Sequence, residues 1–460
     1  MAPVDPALLN GRRDAAVQRW ELDRGAVLIP SGLPVPIEGT DQAHDFHAHN
    51  EFTYLAGRPL EGAVLAFDPG DGWTLFAHEA TTDERIWVGD MEPRDHIAHT
   101  TGLDRVRPSR DLASWLERRR GESLAILGNH DITHRAAEYG VPNWASLELG
   151  IDEELSARLS EQVSEQRRAK DEGELALMRS AVYATRQGHL AAMRLVRPGL
   201  TERDLQVEVE AEFFRHDSER TAYGSIVGSG PNGAILHLQP TKRVMHDDEL
   251  VLMDAAAEYR GYAADVTRTF PVGGKYTGIQ RDLYELVLRV QEEAIRGVRP
   301  GKEYKELHLA AAEGIASGLV DLGIFAGNPQ DLVERDAHAL FFVHGLGHML
   351  GLATHDAGGC LAGRERSDRF GLKWLRADLP LQPGYVVTIE PGIYFIRAIL
   401  EDPKRREQYA GAVNWHIVDQ LLDFGGIRIE DDVLVTATGS EVLSAGIPKR
   451  IDEIEALRGG

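Results

Sequence analysis

The chain has 460 residues, with 50 Lys plus Arg against 73 Asp plus Glu, a net charge of −23. That acidic surplus argues against nucleic acid or an anionic membrane as partner, because phosphate binding needs a basic footprint. The length is too great for one ordinary core and implies two domains, the larger able to enclose a buried site.

In chain order, the opening run MAPVDPALLNGRRDAAVQRW has no apolar h-region, and no stretch approaches the ~18 apolar residues that span a bilayer. Cys360 is the only cysteine, so no intrachain disulfide forms and a reducing, cytoplasmic setting is expected. From Gly25 to Leu127, short β-like runs stand between Gly, Pro and Asp breakers: GAVLIPSG, GAVLAFDPGDGWTLFAHE and LAILGNHD, the last after a helical SRDLASWLERRR. This half reads as a mixed α/β domain. Residues 152–197 are rich in helix formers and broken near Asp171 to Gly173, which places the boundary there: 1–172 and 173–460. Two further helical runs follow, TERDLQVEVEAEFFRHD and IQRDLYELVLRVQEEAIRGV, whose Leu/Val stripes recur at three and four residues as in ordinary core packing.

The stretch LVLMDAAAEYRGYAADVTRTFPV, residues 250–272, predicts a β-hairpin turning at Arg260-Gly261. In that register Asp265 pairs across from Ala256, and Asp254 lies two residues further along the same face. The two carboxylates become diagonal neighbours about 7–8 Å apart at the backbone. Further on, FFVHGLGHMLGLATHD carries His344, His348 and His355 in an apolar setting, without the Glu of an HExxH zinc pattern. In GYVVTIEPGIYF, Glu390 ends an apolar strand and Pro391 holds it extended. In FGGIRIEDDVLVT, Arg428 and Glu430 share a face opposite Ile427 and Ile429. Any one of these reads as a satisfied core residue; four carboxylates with a histidine cluster do not.

Asp254, Asp265, His348, Glu390 and Glu430, in the contexts MDAAAEYRGYAADVTRTF, HGLGHMLGL, TIEPGIYF and GGIRIEDD, resemble the five metal ligands of the pita-bread metallopeptidases. The chain resembles the proline-specific branch of that superfamily, prolidase and aminopeptidase P, from about Ala169 to Leu457. The implied fold is α/β (α+β): a creatinase/prolidase-like N-terminal domain followed by a pita-bread catalytic domain. Over the first half, FHAHNEFTYLAG looks like the family's aromatic-rich N-terminal strand; His47 stands where an Arg is common, and His44, His47 and His49 have no assigned role.

Four carboxylates and one imidazole make a hard donor set that suits Mn²⁺ and tolerates Co²⁺ or Zn²⁺. Five ligands suit two ions about 3.5–4 Å apart, able to hold a hydroxide and to polarise a peptide carbonyl. The resemblance implies that Glu390 also acts as general base and acid, that His344, His355 and His237 (in GSGPNGAILHLQP) face the substrate, and that Arg428 contacts it. Prolidases carry an Arg in an -LR- segment before LQPG that captures the C-terminal carboxylate, and Arg376 in FGLKWLRADLPLQPG fits that place. The expectation is therefore a prolidase cleaving Xaa-Pro dipeptides, with aminopeptidase P acting on longer peptides as the alternative. An organophosphorus acid anhydrolase side activity or a non-enzymatic binding module ranks lower, and a homodimer or higher homo-oligomer is expected.

Overall fold

The computed structural model describes residues 4–128 and 150–458. The chain divides into two compact units, Met1–Arg167 and Arg168–Gly460.

In the first unit, strands β1 (Ala26–Pro30), β2 (Val64–Asp68), β3 (Gly72–Ala77), β4 (Val106–Pro108), β5 (Ser123–Ile126) and β6 (Gly150–Ile151) form a mixed sheet in the order β4-β3-β2-β1-β5-β6. Every residue of β1 and β2 is buried, as befits strands covered on both faces. Trp115, on a helix spanning Leu112–Glu117, meets Phe76 edge-on at 5.9 Å. Trp20, ending the helix Pro6–Trp20, packs on Phe67 at 5.8 Å. The run LAILGNHD supplies most of β5; its last three residues, Asn129 to Asp131, lie outside the described residues. NEFTYLA is a helix, Asn50–Ala56, and not the expected strand. Its aromatic content misled the reading: Phe52 and Tyr54 to Ala56 are buried, and Gly57 at φ 80° ends the turn.

The second unit opens with a helix spanning Glu172–Leu195, which the Asp171–Glu174 capping box starts. A second capping box, Thr201 with Asp204, starts the helix Glu202–Arg215. Gly188 lets these helices touch, since a Cβ there would come within 2.4 Å of Phe213.

The predicted hairpin forms and is interrupted. β7 (Leu250–Asp254) pairs with β10 (Thr267–Pro271), and β8 (Ala257–Tyr259) with β9 (Tyr262–Ala263). Arg260 (φ 50°) and Gly261 (φ 84°) make the turn, both left-handed as a two-residue hairpin of this twist requires. Tyr259↔Tyr262 and Asp254↔Thr267 belong to one frame, so Asp265 stands opposite Ala256 as the sequence predicts. Between the two paired stretches the strands part, and each stretch enters a different three-stranded sheet.

A second pair of segments repeats the device. β11 (Val386–Ile389) pairs with β14 (Asp431–Val435), and β12 (Gly392–Tyr394) with β13 (Gly426–Arg428). Ile389↔Asp431 and Gly392↔Arg428 share one frame, which sets Glu390 opposite Glu430 at the interruption. The open stretches join each other: the Glu430 N–H donates to the Thr267 carbonyl at 3.1 Å, and the Asp265 N–H donates to the Asp432 carboxylate at 3.2 Å. Residues 346–350 lie along β11, with Glu390 N–H on Leu346 O (2.8 Å) and Thr388 N–H on His348 O (2.9 Å). Three separate stretches of sequence thus meet where two ladders open.

Candidate active site

Those openings line a cavity of about 360 Å³, bordered by Asp254, Asp265, His344, His348, Glu390, Arg428 and Glu430, with His237, His355, Trp374 and Arg376 toward its outer side. All eleven of these except Trp374 are residues that the sequence singles out. Alternation explains the inward aim: Ile427 and Ile429 are fully buried in the core while Arg428 and Glu430 take the opposite face.

Among the described residues, ligand atoms of Asp265, His348 and Glu430 lie within 4.8 Å of one another. His348 Nε2 stands 3.3 Å from Asp265 Oδ2 and 3.6 Å from Glu390 Oε1, while its Nδ1 is 3.0 Å from the Met349 carbonyl. That second contact keeps a proton on Nδ1, so Nε2, which faces the carboxylates, is the nitrogen that would give up its proton to ligate a metal ion. Asp254 is turned to Arg428 Nη2 at 2.5 Å and also accepts from the Tyr223 hydroxyl.

Electrostatics single out the same groups. Burial lifts the Glu390 carboxyl to about 7, against the pull of His348 and Arg428. Burial raises Asp254, and it pushes Glu430 well above the usual carboxylate range, helped by Asp265 and Glu390. Burial would lower His348, but the hydrogen bond and charge of Asp265, with Glu390, outweigh it. Four carboxylates thus share a largely buried site with one guanidinium, a charge imbalance that multivalent cations relieve. The donor set, oxygen-rich with one imidazole and no thiolate, fits divalent metal ions.

Arg428, read from the sequence as substrate-binding, is 4 % exposed. Its Nε donates to Thr267 Oγ1 at 2.9 Å and its Nη1 to Tyr394 Oη at 2.8 Å. With Nη2 on Asp254, it braces the carboxylates from behind. Thr267 Oγ1 passes the contact on to Glu430 Oε2 at 2.6 Å.

Tyr394 settles a proton. Its oxygen accepts from Arg428, which can only donate, so its own hydrogen goes to His344 Nε2, 2.8 Å away. The His344 proton then sits on Nδ1, 2.8 Å from the Gly345 carbonyl and 3.7 Å from Glu390 Oε2. Burial, then Arg428, drop His344 to about 3, so the ring is neutral. His355 is likewise lowered to about 4, by burial and then His348; its Nδ1 faces Arg376 Nη1 at 3.3 Å, which leaves Nε2–H as the donor.

Tyr394, Thr267 and Tyr223 were missed in the sequence. For Thr267 a signal existed, because it lies two residues beyond Asp265 on the same strand face.

A buried carboxylate and imidazole cluster fit for divalent ions, in an open cavity rimmed by further histidines, defines the metal-dependent hydrolase class. Residues 176–437 match metallopeptidase family M24, and residues 10–125 match the aminopeptidase P N-terminal domain. The Xaa-Pro aminopeptidase of Escherichia coli (strain K12) is 35% identical, over 99% of this chain and 98% of its own. A probable Xaa-Pro aminopeptidase of Neosartorya fischeri is 33% identical, over 94% of this chain and 92% of its own. Among solved structures, Pseudomonas aeruginosa aminopeptidase PepP superposes with a TM-score of 0.82 at 31% identity, covering 99% of this chain and 98% of that one. Zinc-substituted E. coli aminopeptidase P with product gives 0.81 at 32% identity, with the same coverage. The chain belongs to metallopeptidase family M24, in its Xaa-Pro aminopeptidase branch. The likeness runs through the N-terminal unit as well, and it favours aminopeptidase P over the expected prolidase. The -LR- segment around Arg376 is too short to decide the branch.

Proposed function

We propose that this protein releases the N-terminal residue from peptides whose second residue is proline, using two divalent metal ions, Mn²⁺ first among them, held by Asp254, Asp265, His348, Glu390 and Glu430. The observation that carries the reading is the meeting of these five side chains at the two ladder openings, in a chain similar over its whole length to Xaa-Pro aminopeptidases. Bound there, the ions supply an activated water and a polarised scissile carbonyl.

The chain's own residues supply the rest. Glu390, with a carboxyl near 7 and an edge on the cavity, takes a proton from the attacking water and returns it to the leaving nitrogen. A prolyl nitrogen needs that proton, since the tertiary amide carries no N–H of its own. His355 offers its Nε2–H, and His237 its imidazole, toward the substrate carbonyls and the developing oxyanion, while His344, held between Tyr394 and the Gly345 carbonyl, lines the cavity beside Glu390. Ile226 and Leu236 give the cavity an apolar side suited to the ring.

A second reading, dipeptidase, rests on Arg376, whose guanidinium borders the same cavity and fits a free carboxylate. Incubating the Mn²⁺-loaded protein with Ala-Pro-Ala tests the proposal: mass spectrometry should show Ala and Pro-Ala, and chelation should stop the reaction. Cleavage at another bond, or turnover indifferent to chelation, contradicts it.

A further inference from the structure

Glu202 is fully buried at the first turn of its helix and does not border the cavity. Its carboxylate nevertheless accepts five hydrogen bonds from a single loop. Oε1 receives Ser229 N (2.9 Å), Ser229 Oγ (3.0 Å) and Asn232 Nδ2 (3.0 Å). Oε2 receives Thr241 N (3.2 Å) and Thr241 Oγ1 (2.6 Å). Arg243 secures the arrangement from outside: its Nη1 donates to Ser229 Oγ at 2.7 Å, and its carbonyl accepts the Glu202 N–H at 3.2 Å. Ser229 and Thr241 are the two feet of the loop. Between them run the 3₁₀ turn Gly230–Ala234 and then His237, which borders the cavity.

The described residues give the His237 imidazole no hydrogen-bond partner, and apart from the short turn its loop has no regular structure. Two things hold the ring in place: Leu236 and Leu238 on either side of it pack against Ile226, Leu252, Val343 and Tyr394, and both feet of the loop are anchored on one carboxylate.

We infer that Glu202 is a positioning residue: it ties both ends of the 229–241 loop and thereby sets where His237 meets the substrate. The inference rests on the reading of His237 as a substrate contact. A carboxylate suits the task because it offers acceptors only, and each of its partners is a donor. Glutamine at this place turns an NH₂ toward the donors of one foot, Ser229 or Thr241, and leaves that foot's backbone N–H without its acceptor, which loosens the loop without removing bulk.

A double-mutant cycle tests it. Glu202→Gln should lower kcat/KM on Ala-Pro-Ala by roughly tenfold in the Mn²⁺-loaded enzyme, with metal content unchanged. The same substitution on a His237→Ala background should cost less than about twofold, because the group it positions is gone. Thr241→Val, which removes one of the five bonds, should show the same dependence on His237 at smaller size and serves if Glu202→Gln does not fold. Equal losses on both backgrounds would show that Glu202 acts independently of His237 and overturn the inference alone. Full activity of His237→Ala would overturn the reading of His237 and the inference with it.

Discussion

Glu390 and His355 border one cavity and are assigned different work, so single substitutions separate them. Glu390→Gln should cut kcat by at least about 10²–10⁴-fold, the loss typical of a general base. His355→Ala should lower kcat while metal analysis shows the ions retained; loss of an ion would move His355 into the ligand set. Arg376→Ala discriminates the two substrate readings. If Arg376 captures a free carboxylate, a charge-assisted contact of about 1.5–3 kcal/mol is lost on Ala-Pro, roughly ten- to hundred-fold in kcat/KM, and Ala-Pro-Ala is spared. The aminopeptidase reading predicts comparable effects on both peptides, measured side by side. Titration gives a further prediction for the metal-free protein. Burial holds the Glu390 carboxyl near 7, above its ordinary 4.5, and raises Asp254 and Glu430 in the same direction. At these carboxyls the folded state therefore binds more protons than the unfolded one, and their contribution to stability falls as pH rises from about 4.5 through 7. Against a metal-free Glu390→Gln variant, which keeps the buried histidines and their opposite pH dependence, the metal-free wild type should lose relative stability over this range on melting; a relative gain would contradict the assignment of Glu390 as a buried carboxyl held near 7.

At the scale of elements, the site depends on two interrupted pairings held back to back. Arg268 is the clasp: fully buried, it donates to Thr267 O, Glu430 O, Pro448 O and Ile447 O and pairs with Asp431 at 2.7 Å. Gln291, Lys449 and Ser444 also reach the Asp431 carboxylate. Arg268→Ala leaves that buried charge short of its principal partner and should destabilise by roughly 3–5 kcal/mol. Arg179→Ala breaks a pair with Glu441 whose side chains are 47% and 45% exposed, and should cost at most about 1 kcal/mol. Chemical denaturation of the two variants, if it gave equal losses, would remove Arg268 from this role. Much of this scale was legible in the sequence. The hairpin turn, its register and the strand-end position of Glu390 follow from β-prone runs, a glycine and a proline. The interruptions were not legible, because they arise from pairing between hairpins distant in sequence: Glu430 bonds to Thr267, and Asp265 to Asp432. Arg268 and Asp431 were equally silent, since alternating polar residues in a strand look the same whether they meet water or each other.

At the scale of the molecule, the sequence locates its chemistry in the second half, where charged residues stand inside apolar strands and so declare themselves. The first half carries no such contradiction between residue and setting. There NEFTYLA was misread as a strand, because aromatic content marks burial without fixing the period. The substrate reading turned on the same imbalance. One exposed arginine in a loop pointed to a dipeptidase, whereas similarity along the entire chain, N-terminal unit included, points to an aminopeptidase. No described helix is long and apolar enough to cross a membrane.

The central claim is a metal-dependent aminopeptidase specific for proline in the second position. The most direct measurement is the ratio of kcat/KM on Ala-Pro-Ala to that on Ala-Pro, with Mn²⁺ present and again after chelation. The account predicts a ratio well above one, and loss of both activities without metal. A ratio below one, or turnover that survives chelation, would contradict it.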